Sequence, residues 1–295
     1  MFELLGIPPQ ALFGQVLLGL INGSFYAVLS LGLAVIFGLL NIVNFAHGAL
    51  YMMGAFVSWM LLTYVGISFW VALVVSPVIV GGIGMVIERT MLRPLHDLDH
   101  LYSLLLTFGT TLVISGLFQN FYGVSGNPYP IPAALTGVVN LGFMFLPIYR
   151  AFIILMAVIV CFSTWFLIER TRLGSYLRAA TENPEMVGAF GINVPLLVTL
   201  TYGFGVALAA FAGVLAAPVY SVNPVMGNDI IIVVFAVIVV GGMGSIMGAI
   251  LGGFGLGLVE GLTKVFYPEA STTIIFIIMA LVLLLKPSGI FGREI

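Results

Sequence analysis

Long apolar runs separated by short polar breaks recur from one end of the chain to the other, and their lengths are those of bilayer crossings. Residues 48–64, 69–87, 101–122, 149–168, 195–217 and 272–285 each read as one apolar helix. Residues 229–264 are long enough for two helices, with a break near 241–245. Residues 11–40 would be about 45 Å long as a helix. They form either one long tilted span or two shorter ones broken near Asn22 and Gly23, which makes nine or ten spans in all. None of these runs alternates polar and apolar positions over about ten residues, so a membrane β-barrel is excluded.

Composition sharpens this to an all-α polytopic membrane protein of about 8–10 spans, with residues 1–295 as a single transmembrane unit and no separate soluble domain. Apolar residues make up 61% of the chain and charged residues only 7%, against about 25% charged in soluble domains. The net charge of −2 leaves no nucleic-acid footprint. The first ten residues hold no Lys or Arg, unlike a usual secretory signal. Cys161 has no second cysteine to pair with.

The few charges cluster. Residues 88–99 and 169–193 carry Glu88, Arg89, Arg93, Asp97, Asp99, Glu169, Arg170, Arg172, Arg178, Glu182 and Glu185. Placing both stretches in the cytoplasm puts the C-terminus inside too. Seven of the nine basic residues then lie inside, with Arg150 and Lys264 outside. A bilayer protein that shows a structured charged element to one aqueous side usually docks something there. The opposite loop, 123–147, has no charge and several prolines, and reads either as a cap over helix ends or as an interacting surface.

Within 169–193 a short helix is legible. Asn183 can cap free N–H groups, Pro184 fits the first helical position, Glu185 suits the positive helix end, and Gly191 suits the residue after the stop. Two turns are unstable alone in water, so Met186, Val187 and Phe190 need a surface. That surface is either the membrane interface or the groove of a cytoplasmic partner. Asn41, Asn44 and His47, spaced by three among apolar residues, are candidates for a translocation path or for buried structural polar groups. Gly244, Gly248 and Gly252 repeat every four residues, as do Gly253, Gly257 and Gly261, which suits close helix packing rather than phosphate binding. Val43-Asn44 and Val222-Asn223 open apolar runs on opposite sides, as an inverted repeat would, although two matched dipeptides arise readily by chance.

Catalysis finds little support. Gly66-Ile67-Ser68-Phe69 has the look of an intramembrane serine site, but no histidine follows in a later span to serve as base. No metal-ligand cluster or cofactor motif is evident. Acidic residues are absent from span centres, with Asp229 and Glu260 near span ends, which weighs against a proton-coupled carrier. A carrier driven by an ion gradient remains the alternative.

Several segments together resemble the LivH-type permease subunit of ATP-binding-cassette importers for branched-chain amino acids. They are Asn22-Gly23-Ser24-Phe25-Tyr26-Ala27, Val43-Asn44-Phe45-Ala46-His47-Gly48, Glu88 with Arg93-Pro94-Leu95, and Thr107-Phe108-Gly109. Leu177-Arg178-Ala179 through Gly191-Ile192-Asn193-Val194, and Val240-Gly241-Gly242-Met243-Gly244-Ser245, complete the set in family order. The resemblance implies a type II importer fold in a bacterial inner membrane. It implies a second LivM-like permease, two cytoplasmic ATPases and a periplasmic or extracellular binding protein as partners. ATP hydrolysis would then belong to those partners, since this chain has no Walker motif. A coupling role falls on Asn183, Pro184, Glu185, Met186, Phe190 and Gly191, and a path role on Asn22, Asn41, Asn44 and His47. Ala179-Ala180 and Gly188 match the importer coupling pattern, and Pro184 interrupts it. Relatives that carry urea, amides or aromatic acids leave the substrate open.

Overall fold

The computed structural model describes residues 9–40, 44–96, 98–142 and 144–292. Among these, the helices are α1 (Pro9–Leu40), α2 (Ala46–Met60), α3 (Phe69–Ile87), α4 (His100–Tyr122), α5 (Ile148–Glu169), α6 (Arg172–Glu182), α7 (Pro184–Ala189), α8 (Val194–Tyr220), α9 (Met226–Gly241), α10 (Ile246–Phe266) and α11 (Thr273–Leu285). Seven helical runs are long and apolar enough to cross a membrane, and α9 and α11 are shorter apolar helices. The protein is an all-α polytopic membrane protein.

Helix α1 runs unbroken through Asn22 and Gly23 for 32 residues, about 48 Å against a hydrocarbon core of about 30 Å. Of the two readings of this segment, the single long helix is therefore the one that forms. Gly23 is a site of close approach: a Cβ there would press on the backbone of Gly253 and Phe254 in α10. Lipid is as apolar as leucine, so helices in a membrane associate through close van der Waals packing rather than hydrophobic drive. The glycine ladders do this on two faces of α10. Gly253, Gly257 and Gly261 meet Ala27, Gly23 and Gly19 of antiparallel α1, while Gly248 meets Gly241 of α9 and Gly252 meets Val237. Gly244 sits in the preceding turn with φ 79° and touches Gly38.

Helix α8 is the second packing centre. Gly205 meets Gly32 of α1, Gly203 meets Gly81 of α3, and Ala210 meets Gly54 of α2. The outer faces of α4 and α5, with Leu105, Phe108, Leu112, Phe121, Leu155 and Phe162, remain exposed, as a lipid solvent requires.

Two helices begin deep in the bundle. His47, in the first turn of α2, lies beside Leu29 and Gly32, whereas α1 continues to Leu40. The first turn of α9 meets it there: Gly48 and Gly227 are in backbone contact. Both follow a Val-Asn dipeptide by the same interval, in Val43-Asn44-x-x-x-Gly48 and Val222-Asn223-x-x-x-Gly227. The faint sequence echo thus marks two helix starts that touch.

At one end of the bundle the terminus of α1, the end of α5, α6, the 243–247 segment and residues 291–292 surround a common cavity. At the other, Ser58 of α2 donates to Tyr129, Trp59 packs on Tyr122, and Asn127 pairs with Val222 in an antiparallel bridge. The uncharged 123–147 loop also forms a small hairpin, β1 (Val138–Asn140) with β2 (Phe145–Pro147), pairing Val139 with Leu146.

Candidate functional site

On the Tyr129 side of the bundle a cavity of about 440 Å³ opens between α1, α2 and the α8–α9 junction. Asn22, Phe25 and Tyr26 reach it from α1, Tyr51 from α2, Tyr220 from the end of α8, and Met226, Asp229, Ile230 and Val233 from α9, with Asn223 and Thr272 beside them. The junction is what allows α9 to start within the bundle. Ser221 ends α8 in the left-handed region at φ 54°, the one non-glycine residue with positive φ among those described. With ψ at 155° this is a sparsely populated backbone region, which costs about 1–3 kcal/mol for a residue with a Cβ. Asn223 then caps the turn, its Oδ1 accepting from the Val225 N–H at 3.1 Å.

A polar chain anchored on the buried Glu260 backs this cavity. Glu260 of α10 accepts from Tyr26 Oη at 2.8 Å and from Asn22 Nδ2 at 3.4 Å, and pairs with Lys264 one turn on. Tyr220 Oη donates to Asn22 Oδ1 at 3.2 Å. Asn22 is therefore held in one orientation from both ends of its amide, and the carboxylate is neutralised where an isolated charge would be prohibitive. Sequence reading set Glu260 aside as a span-end residue, but it is buried within α10, which continues to Phe266. The available signal was the Glu-Lys pair at i,i+4 inside an apolar helix.

The polar motif before α2 is divided by the structure. Asn41 lies outside the described residues. Asn44 and His47 are both fully buried and line neither cavity. Asn44 Nδ2 donates to Tyr202 Oη at 2.9 Å, and its Oδ1 accepts from the Ala46 N–H that opens α2. His47 Nε2 lies 3.1 Å from the Leu29 carbonyl of α1. These two side chains tie α2 to α8 and α1, so only Asn22 of the three described candidates faces a cavity. The buried Asn44 amide and His47 Nε2 each find a partner on a neighbouring helix, as buried polar groups do, while His47 Nδ1 has none among the described residues.

At the opposite end the segment 169–193 holds two helices where sequence reading expected one. Helix α6 is capped by Thr171, whose Oγ1 accepts from the Leu173 N–H, and packs Gly174, Leu177 and Ala180 inward. Helix α7 is capped as its sequence suggests, with Asn183 Oδ1 accepting from the Met186 N–H at 2.9 Å and Gly191 at φ 83°. Its apolar residues divide: Val187 packs inward, while Met186 and Phe190 are 58% and 79% exposed. Asn193 caps α8 two residues after Gly191, accepting from the Leu196 N–H at 3.1 Å. The cavity beside α6, about 430 Å³, is bordered by Glu169, Arg178, Gly244, Ser245 and Phe291.

Glu88 proves not to be a loop charge. Helix α3 continues through a π-helical turn at Glu88–Leu92, and the Glu88 side chain is fully buried. Thr199 of α8 donates to Glu88 Oε2 at 2.6 Å, Arg93 Nε lies 3.7 Å from Oε1, and Arg93 also donates to the Pro195 carbonyl at 2.7 Å. A carboxylate, a hydroxyl and a guanidinium so clasp the end of α3 to the first two turns of α8, the helix that follows α7. Arg93 is one-third exposed, which screens part of its attraction.

Comparison with known proteins completes the picture. The family described as branched-chain amino acid transport system / permease component matches residues 15–284. The chain is 33% identical over 296 residues to the high-affinity branched-chain amino acid transport system permease protein BraD of Pseudomonas aeruginosa, covering 95% of each. It is 32% identical to the corresponding LivH protein of Escherichia coli, again over 95% of each. It is also 26% identical to the E. coli permease LivM, covering 90% of this chain and 67% of that one. No solved structure matches it.

Proposed function

Since the chain belongs to the permease-component family of branched-chain amino acid transport systems, we propose that it is one permease of an ATP-driven importer for branched-chain amino acids or closely related solutes. It works as a single transmembrane unit with a second, LivM-like permease, two cytoplasmic ATPases and a binding protein on the outer side. The observation that carries this reading is the exposed Met186–Phe190 edge of a capped helix that cannot be stable alone. The Arg-rich 169–193 end faces the cytoplasm in this reading, which the distribution of basic residues supports, and the described C-terminal residues up to 292 share that end.

In this reading the ATPases close on nucleotide and press on Met186 and Phe190. The push passes through Gly191 and the Asn193 cap into α8, and the Glu88–Arg93–Thr199 clasp carries it into α3. Helix α6 carries it to α1 and α5, against which it packs. The outer cavity lies between the α1 and α8 elements that this motion shifts, so its exposure to either side changes with the nucleotide state. The competing reading, a carrier driven by an ion gradient, predicts uptake without ATP. Purified complex in liposomes, with ATP inside and no ion gradient, should accumulate leucine delivered by the binding protein. Uptake that instead follows an imposed sodium or proton gradient, and ignores ATP, refutes the proposal.

A further inference from the structure

The outer cavity has a composition that selects among solutes. Its apolar wall is Phe25, Met226, Ile230 and Val233, and its volume is within the range of about 300–1,000 Å³ typical of small-molecule sites. The charged residue in its lining is Asp229, on the first turn of α9. Asp229 forms no ion pair or side-chain hydrogen bond with another described residue, in contrast to Glu88, Glu169 and Glu260, each of which is paired. Tyr51 is 2% exposed, lines the same cavity, and makes no side-chain hydrogen bond with another described residue. A buried phenol normally finds a partner, so this one marks a place for a ligand group. Neither nearby cation is part of the lining: Lys264 is held by Glu260, and Arg150 acts on the cavity only from behind Tyr220.

Resting on the importer reading, we infer that Asp229 and Tyr51 form a subsite for the ammonium group of an amphipathic amine or neutral amino acid, with its alkyl tail on Phe25, Met226 and Ile230. The free charge in the cavity is negative, so it attracts an ammonium and repels a carboxylate that lacks one. The rings of Tyr26, Tyr51 and Tyr220 add faces that favour a cation. A neutral amino acid brings its own ammonium to offset its carboxylate, whereas an aromatic or aliphatic acid does not. Asp229 is thus a specificity-determining residue, and the cavity discriminates against plain acids. A purely structural role, an acidic side chain stabilising the start of α9, makes no such distinction.

The test reads ligand protection in the intact complex. Ile230→Cys, in a Cys161→Ala background, is labelled with a water-soluble maleimide in the presence of leucine, 3-methylbutylamine or 4-methylpentanoate at millimolar concentration. Leucine and the amine should slow labelling at least about threefold and the acid should not; Asp229→Asn should abolish the protection and Asp229→Glu should keep it. Equal protection by all three ligands, protection by none, or protection that survives Asp229→Asn overturns the inference. If Asp229→Asn does not assemble, Tyr51→Phe, which removes only a hydroxyl, decides: amine protection should weaken at least about twofold, and unchanged protection overturns the subsite. Failure of the unmutated complex to import leucine with ATP alone is a separate result, and that one refutes the importer reading.

Discussion

Asn22, Asn44 and His47 look alike in the sequence, as lone polar groups in apolar runs, and the fold gives them opposite situations. Asn22 borders an open cavity, held by Tyr220 and Glu260, whereas Asn44 and His47 are sealed between α1, α2 and α8. Leaving a buried donor without its partner costs about 1–3 kcal/mol, so Asn44→Ala should lower the unfolding midpoint in detergent while Asn22→Ala changes it less. Single cysteines in a Cys161→Ala background give a second measure. Asn22→Cys should react with a small water-borne thiol reagent, and Asn44→Cys and His47→Cys should stay inert in both nucleotide-free and ATP-trapped complexes. Reaction at position 44 or 47 in either state would return those residues to the path.

Helix α7 is too short to hold itself, so its caps and its single inward residue fix it in place. Phe190→Asp or Met186→Asp should cut ATP-driven uptake at least about tenfold and leave folded yield unchanged, because both side chains already face water. Val187→Asp buries a charge on the inward face and should lower folded yield instead. Wild-type uptake by both exposed-face variants would remove α7 from the coupling route. On α10 the same logic separates two glycines only two residues apart, on different faces of the helix. A side chain at Gly257 would overlap the Gly23 backbone, while at Gly255 nothing lies within 4 Å. Gly257→Leu should therefore prevent assembly, as close helix contacts cannot admit a large residue, and Gly255→Leu should be tolerated. Size-exclusion profiles of the two variants make the comparison directly.

For the molecule as a whole, the arrangement of ends makes topology a single choice. The α1 terminus, α6, the 243–247 segment and residues 291–292 share one end, and the 123–147 loop and Val222 share the other. Basic residues cluster at the first end, so a reporter fused after Ile295 should signal cytoplasm and one inserted within 126–136 should signal the outer side. A reversed pair of signals would invert every sidedness assignment together. The unbroken α1 also places its Pro9 end opposite its Leu40 end, which the two-helix alternative would not.

Most helices were legible from the chain because hydrophobic length and helix-end chemistry are local. The runs at 69–87 and 101–122, the break at 241–245, and the Asn183 cap all follow from neighbours within a few residues. The glycine intervals foretold close packing, but which ladder meets α1 and which meets α9 depends on rotation about the α10 axis, set by the facing helices. Likewise no local rule joins Asn22 to Glu260 across 238 positions, or Glu88 to Thr199 across 111. A polar residue in an apolar run must find a partner or a cavity. Sequence establishes that requirement, and only the packing of distant helices decides which of the two is met.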